Sequence, residues 1–187
     1  MGTDLDQRPR PMSAQELEHL VMRCPGCGYC ATNISVDAGV TRQMVDDPDY
    51  RSILEADRED VLNSFIAKGY LMERTGYFIG AFDAYRSASW FADDRGDAEA
   101  AKEMRGKAID ACRVFIERMV PGGRIVYGDM LRRVGRFDEC VKIMDGILSS
   151  DAPEEAHAVA RLEKSLCAAG DAGRHSTSEA VKHKIVK

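Results

Sequence analysis

The sequence predicts an all-α protein whose main body is a stack of antiparallel helical hairpins. From Asp57 onward, apolar residues recur at spacings of three and four, which is the period of one buried helical face. Glycines at positions 76 and 135 interrupt this pattern where two helices would be joined by a short turn. Since no alternating β-branched run of strand length appears past Asp57, the pattern favours helices throughout the body.

The composition of the chain is typical of a globular protein. Of its 187 residues, 44% are hydrophobic and 30% are charged, which excludes disordered, collagen-like and membrane architectures. No apolar stretch approaches the ~20 residues that span a bilayer, and the first residues lack the apolar core of a signal peptide. We therefore expect a cytoplasmic protein without membrane contact, whose six cysteines are thiols or metal ligands rather than disulfides.

The first 56 residues are predicted to lack long helices. Residues 1–12, which contain Pro9 and Pro11, are predicted to be a disordered lead. Ser13 and Glu16 form a capping-box pattern, which predicts either a short helix or an extended run into a cysteine-rich segment. Because the pair Asp47 and Pro48 breaks the apolar pattern that follows, residues 13–56 are expected to be a cysteine knuckle with an irregular connection.

The helical body is predicted over residues 57–170. The first hairpin turns at Gly76 and closes at Gly96, and Asp97 then caps a third, longer helix that ends before Pro121. A second hairpin turns at Gly135. The residues expected to face inward are Leu62, Phe65, Ile66, Phe82, Tyr85, Phe91, Met104, Ala108, Cys112, Phe115, Met119, Val126, Met130, Leu131, Cys140, Met144 and Ile147.

A last helix and a tail complete the predicted chain. Asp151 with Glu154 is expected to cap the helix, whose inward residues include Val159, Leu162, Leu166 and Cys167. Residues 171–187 read as a flexible, basic tail. Its basic residues are Arg174, Lys182, Lys184 and Lys187, and no aromatic residue is interleaved with them for base stacking. With a net charge of −5 for the whole chain, a specific nucleic-acid partner is not expected.

The two predicted hairpins correspond position by position. Gly69, Met72, Gly76, Phe78, Ala81, Tyr85 and Ala88 match Gly128, Leu131, Gly135, Phe137, Cys140, Met144 and Ile147. These are the positions at which a tetratricopeptide repeat of ~34 residues places its small residues, its turn and its sealing aromatic. Because a long third helix separates the two turns, the chain resembles a degenerate, tetratricopeptide-like version of that repeat.

The cysteine-rich segment CPGCGYC predicts a metal-binding knuckle. A C-x-x-C with proline after the first cysteine forms a tight turn whose amides face the sulfurs, which stabilises thiolates and favours Zn²⁺. The candidate ligands are Cys24, Cys27, Cys30 and His19. A fourth ligand from the helical body, or the same knuckle of a second chain in a homodimer that shares the metal, stays open. Three further alternatives also stay open: a knuckle that binds nothing, an iron–sulfur cluster, and a pair of redox-active thiols.

Three stretches read in order resemble a known family. They are CPGCGYC, then residues 84–109 with Trp90, Arg105 and Lys107, then GDMLRRVGRFDEC at residues 128–140. Together they are similar to the uncharacterised bacterial domain-of-unknown-function family 2225, in which a CPxCG knuckle precedes tetratricopeptide-like helices. The chain differs from that family in having one knuckle instead of two and Cys30 where alanine is usual. The resemblance implies a fold and no activity.

The repeat pattern also predicts where a partner would bind. In a tetratricopeptide stack the first helix of each hairpin lines a concave groove, which here would show Tyr70, Arg74, Asp129, Arg132 and Arg133. Arginines near one groove could clamp an acidic protein or peptide bidentately. In the competing interpretation, Arg132 and Arg133 pair with neighbouring acids such as Asp129 and Glu139.

No catalytic set of residues is evident in the sequence. Cys112, Cys140 and Cys167 fall on apolar helical faces and are assigned to packing, and the remaining histidines, His157, His175 and His183, are isolated. The sequence therefore favours a non-enzymatic protein-interaction scaffold with a zinc knuckle. The alternative is a metal- or redox-responsive regulator that uses Cys24, Cys27 and Cys30.

Overall fold

The computed structural model describes residues 3–36 and 38–180 and confirms the all-α class. The chain divides into two compact units. The knuckle unit, Ser13–Cys112, holds α1 (Ala14–Glu18), β1 (Met22–Arg23), β2 (Cys30–Ala31), α2 (Arg42–Val45), α3 (Pro48–Glu55), α4 (Asp60–Arg74), α5 (Phe78–Arg95) and α6 (Ala98–Cys112). The terminal unit combines residues 3–12 with 113–180 and holds α7 (Pro121–Arg133), α8 (Phe137–Leu148) and α9 (Glu154–Ala168).

Both helical hairpins turn at a glycine in the left-handed conformation. Gly76 joins α4 to α5 with φ +78°, and Gly135 joins α7 to α8 with φ +84°. In each turn the amide after the glycine donates to the carbonyl five residues earlier, at 2.8 Å. This Schellman geometry satisfies the last carbonyls of the first helix and favours glycine at the turn. Both turns therefore lie where the sequence predicted them.

A second glycine in each hairpin lets the two helices approach closely. A Cβ added at Gly69 of α4 would lie 2.5 Å from the ring of Tyr85 on α5. A Cβ added at Gly128 of α7 would overlap the methyl group of Met144 on α8. The two contacts occupy corresponding positions, so the residue correspondence predicted for the hairpins is present in the structure.

Two prolines that the sequence suggested as helix breakers begin helices instead. Pro48 is the first residue of α3, and the Asp47 side chain caps that helix by accepting from the Asp49 amide at 2.9 Å. Pro121 likewise begins α7. Proline suits a first helical position because its missing N–H would have no partner there. A two-turn helix therefore replaces part of the irregular connection expected before residue 57.

The predicted third helix is shorter than expected. Asp97 does cap α6, accepting from the Ala100 amide at 3.0 Å, but the helix ends at Cys112. The apolar pattern continues as far as Met119, yet Val114 is 74% exposed and Ile116–Arg118 form a separate 3₁₀ turn. The assignment of Asp151 as a cap is also wrong, because α9 begins after Pro153 without a side-chain cap.

The described parts of the predicted lead and tail pack on each other. The Leu5 amide donates to the His175 carbonyl at 3.0 Å, and Leu5 itself is buried. Asp4 is buried and forms an ion pair with Arg174 at 2.5 Å. A disordered lead was expected from the prolines of this segment, but its buried apolar and charged side chains anchor it. The remainder of the tail, residues 181–187, lies outside the described residues.

Candidate metal-binding knuckle and predicted groove

The cysteine segment forms a short β-hairpin. β1 and β2 pair in antiparallel register, with Arg23 opposite Cys30. Between them, the Cys24 amide donates to the Tyr29 carbonyl, and the Gly28 amide donates to the Cys24 carbonyl, both at 2.8 Å. Gly28 has φ +79°, a conformation that favours glycine. The sequence thus builds the tight turn that the CPGCG pattern predicts.

Helix α3 holds this turn in place. The buried Tyr50 hydroxyl donates to the Gly28 carbonyl at 2.8 Å and accepts from the Cys30 amide at 3.1 Å. A Cβ added at Gly28 would also lie 3.0 Å from the Leu54 side chain. Two backbone groups of the knuckle therefore depend on one side chain from a helix that the sequence did not predict.

The turn brings two thiols together. Cys24 and Cys27 are both partly exposed, and they lie at the two ends of one tight turn. Hydrogen bonds from the Cys27 and Gly26 amides, and from the Cys27 thiol, lower the pKa of the Cys24 thiol. Amides that stabilise a thiolate prepare it for a metal cation. The pair is therefore suited to supply two of the four ligands of a zinc site.

The other two candidate ligands do not join this pair. Cys30 is fully buried, its thiol donates to the Gly28 carbonyl at 3.3 Å, and burial raises its pKa. His19 is exposed at the end of α1. Within residues 3–36 and 38–180, no group of three or more Cys, His, Asp or Glu side chains could hold a metal ion. Contrary to the four-ligand prediction, pairing of Cys30 in β2 has placed its sulfur in the interior.

α3 packs on part of the face of α4 that was predicted to line a groove, while Arg74 near the end of α4 stays 53% exposed. The Tyr70 hydroxyl donates to Asp47 at 3.2 Å, and Arg74 forms an ion pair with the same carboxylate at 3.5 Å. Farther along α4, the Asn63 amide group donates to the Ala56 carbonyl at 2.8 Å. The segment that packs on this face is α3 with the residues that flank it. The two predicted partner-binding side chains of this hairpin therefore already bind an acid of the same unit.

The groove predicted along α7 is absent, because its central arginine lies in the interior. Arg132 is 0% exposed and donates to Asp129 at 2.5 Å and to Glu163 of α9 at 2.8 Å. It also donates to the carbonyls of Asp171 and Gly173, at 2.7 and 2.9 Å. A partner cannot reach Arg132 or the equally buried Asp129. The pairing of Arg132 with Asp129 that the competing interpretation predicted is present.

Arg133, the last predicted groove residue, also faces an acid of its own unit. Its side chain is 10% exposed and lies 3.3 Å from the buried carboxylate of Asp6. Glu139, the other expected partner of these arginines, instead accepts from Arg136 at 2.7 and 2.6 Å. The segment that the sequence treated as a disordered lead therefore supplies a buried counter-ion to α7.

The carboxylates around Arg132 have unusual proton affinities. Burial, and then the charge of Asp129, raises the pKa of Glu163 to about 8, although Arg132 opposes the shift. Burial also raises the pKa of Asp129. Two acids beside one guanidinium thus retain one proton near neutral pH. The sequence does contain a signal for this site, because Glu163 stands four residues from both Val159 and Cys167 on the apolar stripe of α9.

The remaining cysteines behave as packing residues, as predicted. Cys112, Cys140 and Cys167 are buried. Cys140 lies 3.9 Å from Glu163 and is hydrogen-bonded to Cys167. Burial raises the pKa of each of the three thiols, which keeps them protonated and unreactive.

Comparisons with protein-family models, curated proteins and solved structures found no match for this chain. The resemblance to the uncharacterised bacterial family therefore stays a prediction from the sequence. Among the described residues, no helix combines the length and the apolar character needed to cross a membrane.

Proposed function

We propose that this protein is a non-enzymatic interaction scaffold in which two copies share one Zn²⁺ through their knuckles. The supporting observation is the knuckle geometry: Cys24 and Cys27 meet on a partly exposed turn, while Cys30 is buried. Structural zinc takes four ligands in a tetrahedral arrangement. One chain offers two sulfurs, so two chains related by a two-fold axis would complete the site.

The helical body supports a scaffold role in a second way. Repeated helical hairpins present extended surfaces, and functions built on them are more often binding than chemistry. In the knuckle unit α3 covers part of the face predicted as a groove, and in the terminal unit Arg132, Asp129 and Glu163 form a buried group, the Arg132 cluster. Partner binding is therefore assigned to other surfaces and to the assembly of two chains.

The zinc content and the mass of the protein test this proposal together. Full-length protein purified without added zinc is expected to be a dimer that carries one Zn²⁺ per two chains, measured by native mass spectrometry. A chelator should release the metal and give monomers. Cys24→Ser and Cys27→Ser should abolish both, because each removes one ligand from each half of the site.

Cys30→Ala is the matched control in the same knuckle. Because the Cys30 sulfur faces the interior, its removal should leave the metal and the dimer in place. A monomer that carries one Zn²⁺ and needs Cys30 would overturn the shared site and restore the four-ligand set within one chain. Protein that remains monomeric and metal-free after incubation with Zn²⁺ would overturn the proposal altogether.

A redox-responsive role is the second candidate, and one contact favours it. The Cys27 thiol lowers the pKa of the Cys24 thiol, so the two side chains of this tight turn lie close enough to interact. A peroxide could oxidise this pair to a disulfide, with loss of both thiol protons and reduction of the peroxide to water. Peptide mapping after mild peroxide treatment should find this disulfide before any change at Cys112 or Cys140. Equal oxidation of the buried cysteines would contradict it.

A further inference from the structure

Residues 3–12, the lead segment, contact the rest of the terminal unit as a bound peptide contacts its receptor. The Leu5 amide donates to the His175 carbonyl at 3.0 Å, and the Thr177 amide donates to the Thr3 carbonyl at 2.9 Å. Together these bonds flank an isolated antiparallel β-bridge. Main-chain hydrogen bonds of this kind give affinity for a peptide, and side-chain pockets give specificity.

The side chains of the lead segment meet complementary groups. Leu5 is 1% exposed, so its side chain is enclosed. Asp4 lies 2.5 Å from Arg174, and Asp6 lies 3.3 Å from Arg133 of α7. Arg133 is one of the residues that the sequence predicted to clamp an acidic peptide. The surface under the lead segment therefore fits an acid, a leucine and a second acid in that order.

The lead segment is joined to this surface through a separate compact unit. The knuckle unit, Ser13–Cys112, separates it along the chain from the rest of the terminal unit. The pair of Asp4 with Arg174 accordingly joins residues that lie 170 positions apart. Docking of the segment thus depends on its contacts rather than on a short connecting loop. A second peptide that makes the same contacts can compete with it.

One residue of the docked lead segment has a strained backbone. Gln7 has φ +64°, in the left-handed region, and its side chain is exposed. A residue with a Cβ rarely adopts this conformation, whereas glycine adopts it readily. The turn around it is closed by the Asp4 amide, which donates to the Arg8 carbonyl at 2.9 Å. A segment with glycine in place of Gln7 would form the same turn without this strain.

We propose that the terminal unit binds an acidic turn of a partner protein, with the pattern acid–leucine–acid–glycine, and that the chain's own lead segment blocks this site until the partner displaces it. The two acids of the partner pair with Arg174 and Arg133, and its leucine takes the place of Leu5. A second copy of this chain is a poorer source, because its lead segment is docked on its own terminal unit. The inference rests on the scaffold role proposed above and names the chemistry of the partner.

Hydrogen exchange in the wild-type protein tests whether the lead segment opens separately. The amides of Leu5 and Thr177 donate across the contact, so they are expected to exchange through a local opening that leaves the amides of α7, α8 and α9 protected. Equal protection of the two sets would show that the segment opens only when the whole unit unfolds, and would overturn the inference. This measurement does not depend on the folding of any variant.

Binding is measured by fluorescence anisotropy of a labelled, end-capped peptide, TDLDGRPRP, titrated with full-length protein. This probe is residues 3–11 with Gln7→Gly. The parent peptide TDLDQRPRP should bind severalfold more weakly because of the strained turn. The peptide TNLNGRPRP should bind about tenfold more weakly or worse, since it loses both ion pairs. No saturable binding of the probe, or equal binding of the asparagine peptide, would overturn the inference.

Variants of the full-length protein test the competition with the lead segment. Leu5→Ala weakens the internal competitor and should tighten binding of the probe by about tenfold. Arg133→Met added to that variant should weaken binding by a similar factor. Arg136→Met is the matched control in the same hairpin, because this arginine pairs with Glu139. Unchanged affinity in both test variants would contradict the proposed site.

Every titration is made with and without a chelator. Loss of zinc should leave binding of the probe unchanged, because Cys24 and Cys27 belong to the other unit, so this inference and the shared zinc site fail separately. In the presence of chelator, wild-type protein should bind the Leu5→Ala chain much more weakly than the probe does. Equal binding would assign the site to a second copy and overturn a partner protein as its occupant.

Discussion

The two glycine-turn hairpins, α4–α5 and α7–α8, have the same backbone design but differ in the polar side chains that they bury. Each turns at a left-handed glycine and packs a second glycine against a large side chain, Tyr85 in one and Met144 in the other. The first hairpin packs α4 under α3 through neutral hydrogen bonds and partly exposed ion pairs. The second buries a complete guanidinium with two carboxylates.

This difference shows that the repeated part of the sequence specifies the turn and the helix spacing but not the polar interior. Gly76 and Gly135 are local requirements, since each depends on its own backbone conformation. The Arg132 cluster is a tertiary requirement, because its partners come from α9 and from the carbonyls of Asp171 and Gly173. A hairpin that buries charge should therefore respond to mutation and to pH in ways that its counterpart does not.

Removing Arg132 should have the largest effect on stability. Arg132→Met would leave Asp129 and Glu163 buried without the guanidinium that pairs with both, and the terminal unit should lose roughly 3–5 kcal/mol of unfolding free energy. Urea unfolding followed by hydrogen exchange in α7, α8 and α9 measures this loss. Arg136→Met, which breaks a partly exposed pair with Glu139 in the same hairpin, should cost about 1 kcal/mol or less. Comparable losses of unfolding free energy in the two variants would show that burial does not increase the contribution of the Arg132 cluster to stability.

The pH dependence of the terminal unit should be the next largest effect. The pKa of Glu163 rises from 4.5 to about 8 on folding, so the folded state binds a proton that the unfolded chain releases between these values. The stability that this proton contributes is present below pH 4.5 and is lost as the pH rises to about 8, by a few kcal/mol at most. Glu163→Gln mimics the protonated acid and should remove this decline, measured as melting temperature against pH.

Glu139→Gln is the control for the pH series, and its effect has the opposite sign. The hydrogen bond from Arg136 lowers the pKa of Glu139, so its contribution is present above 4.5 and is lost as the pH falls below that value. This variant should therefore keep the decline between pH 4.5 and about 8. A wild-type profile that is flat over that interval would contradict the assignment of a proton to the buried acids.

The predictions from sequence succeeded where a residue's role is set by its own backbone. The glycine turns, the Ser13 and Glu16 capping box and the Asp97 cap are all present, because each needs only a few neighbouring residues. Pro48 and Pro121 were misread because proline ends one helix and begins the next equally well, and only the packing of the following segment decides between them.

The knuckle and the predicted groove were harder to predict, because their side-chain contacts also depend on the packing of distant segments. The spacing of Cys24 and Cys27 defines the turn, and the two thiols do meet. Spacing could not show that Cys30 pairs in β2 and is buried beside Tyr50, since that contact spans twenty residues. Nor could it show that Arg132 faces inward, because an arginine with an acid three residues before it is usually an exposed helical pair.

The smallest expected effect on stability comes from adding a methyl group at each of the two close helix contacts. Gly69→Ala would drive a Cβ into the rigid Tyr85 ring, which is further fixed by a 3.0 Å hydrogen bond to Glu73, and should cost roughly 1–3 kcal/mol. Gly128→Ala meets only the terminal methyl of Met144, which can rotate away. Since alanine gains about 0.5–1 kcal/mol of helix propensity over glycine, that variant should change stability by less than about 1 kcal/mol.

Alanine substitutions at two other helical glycines measure the gain in helix propensity without a steric cost. Nothing lies within 4 Å of a Cβ added at Gly106 of α6 or at Gly146 of α8, so alanine at either position should stabilise its unit. Subtracting these gains from the Gly69→Ala and Gly128→Ala values leaves the steric cost of each contact. A larger cost at Gly128 than at Gly69 would mean that Met144 is more tightly confined than Tyr85, and the second hairpin would then be the more rigidly packed of the two.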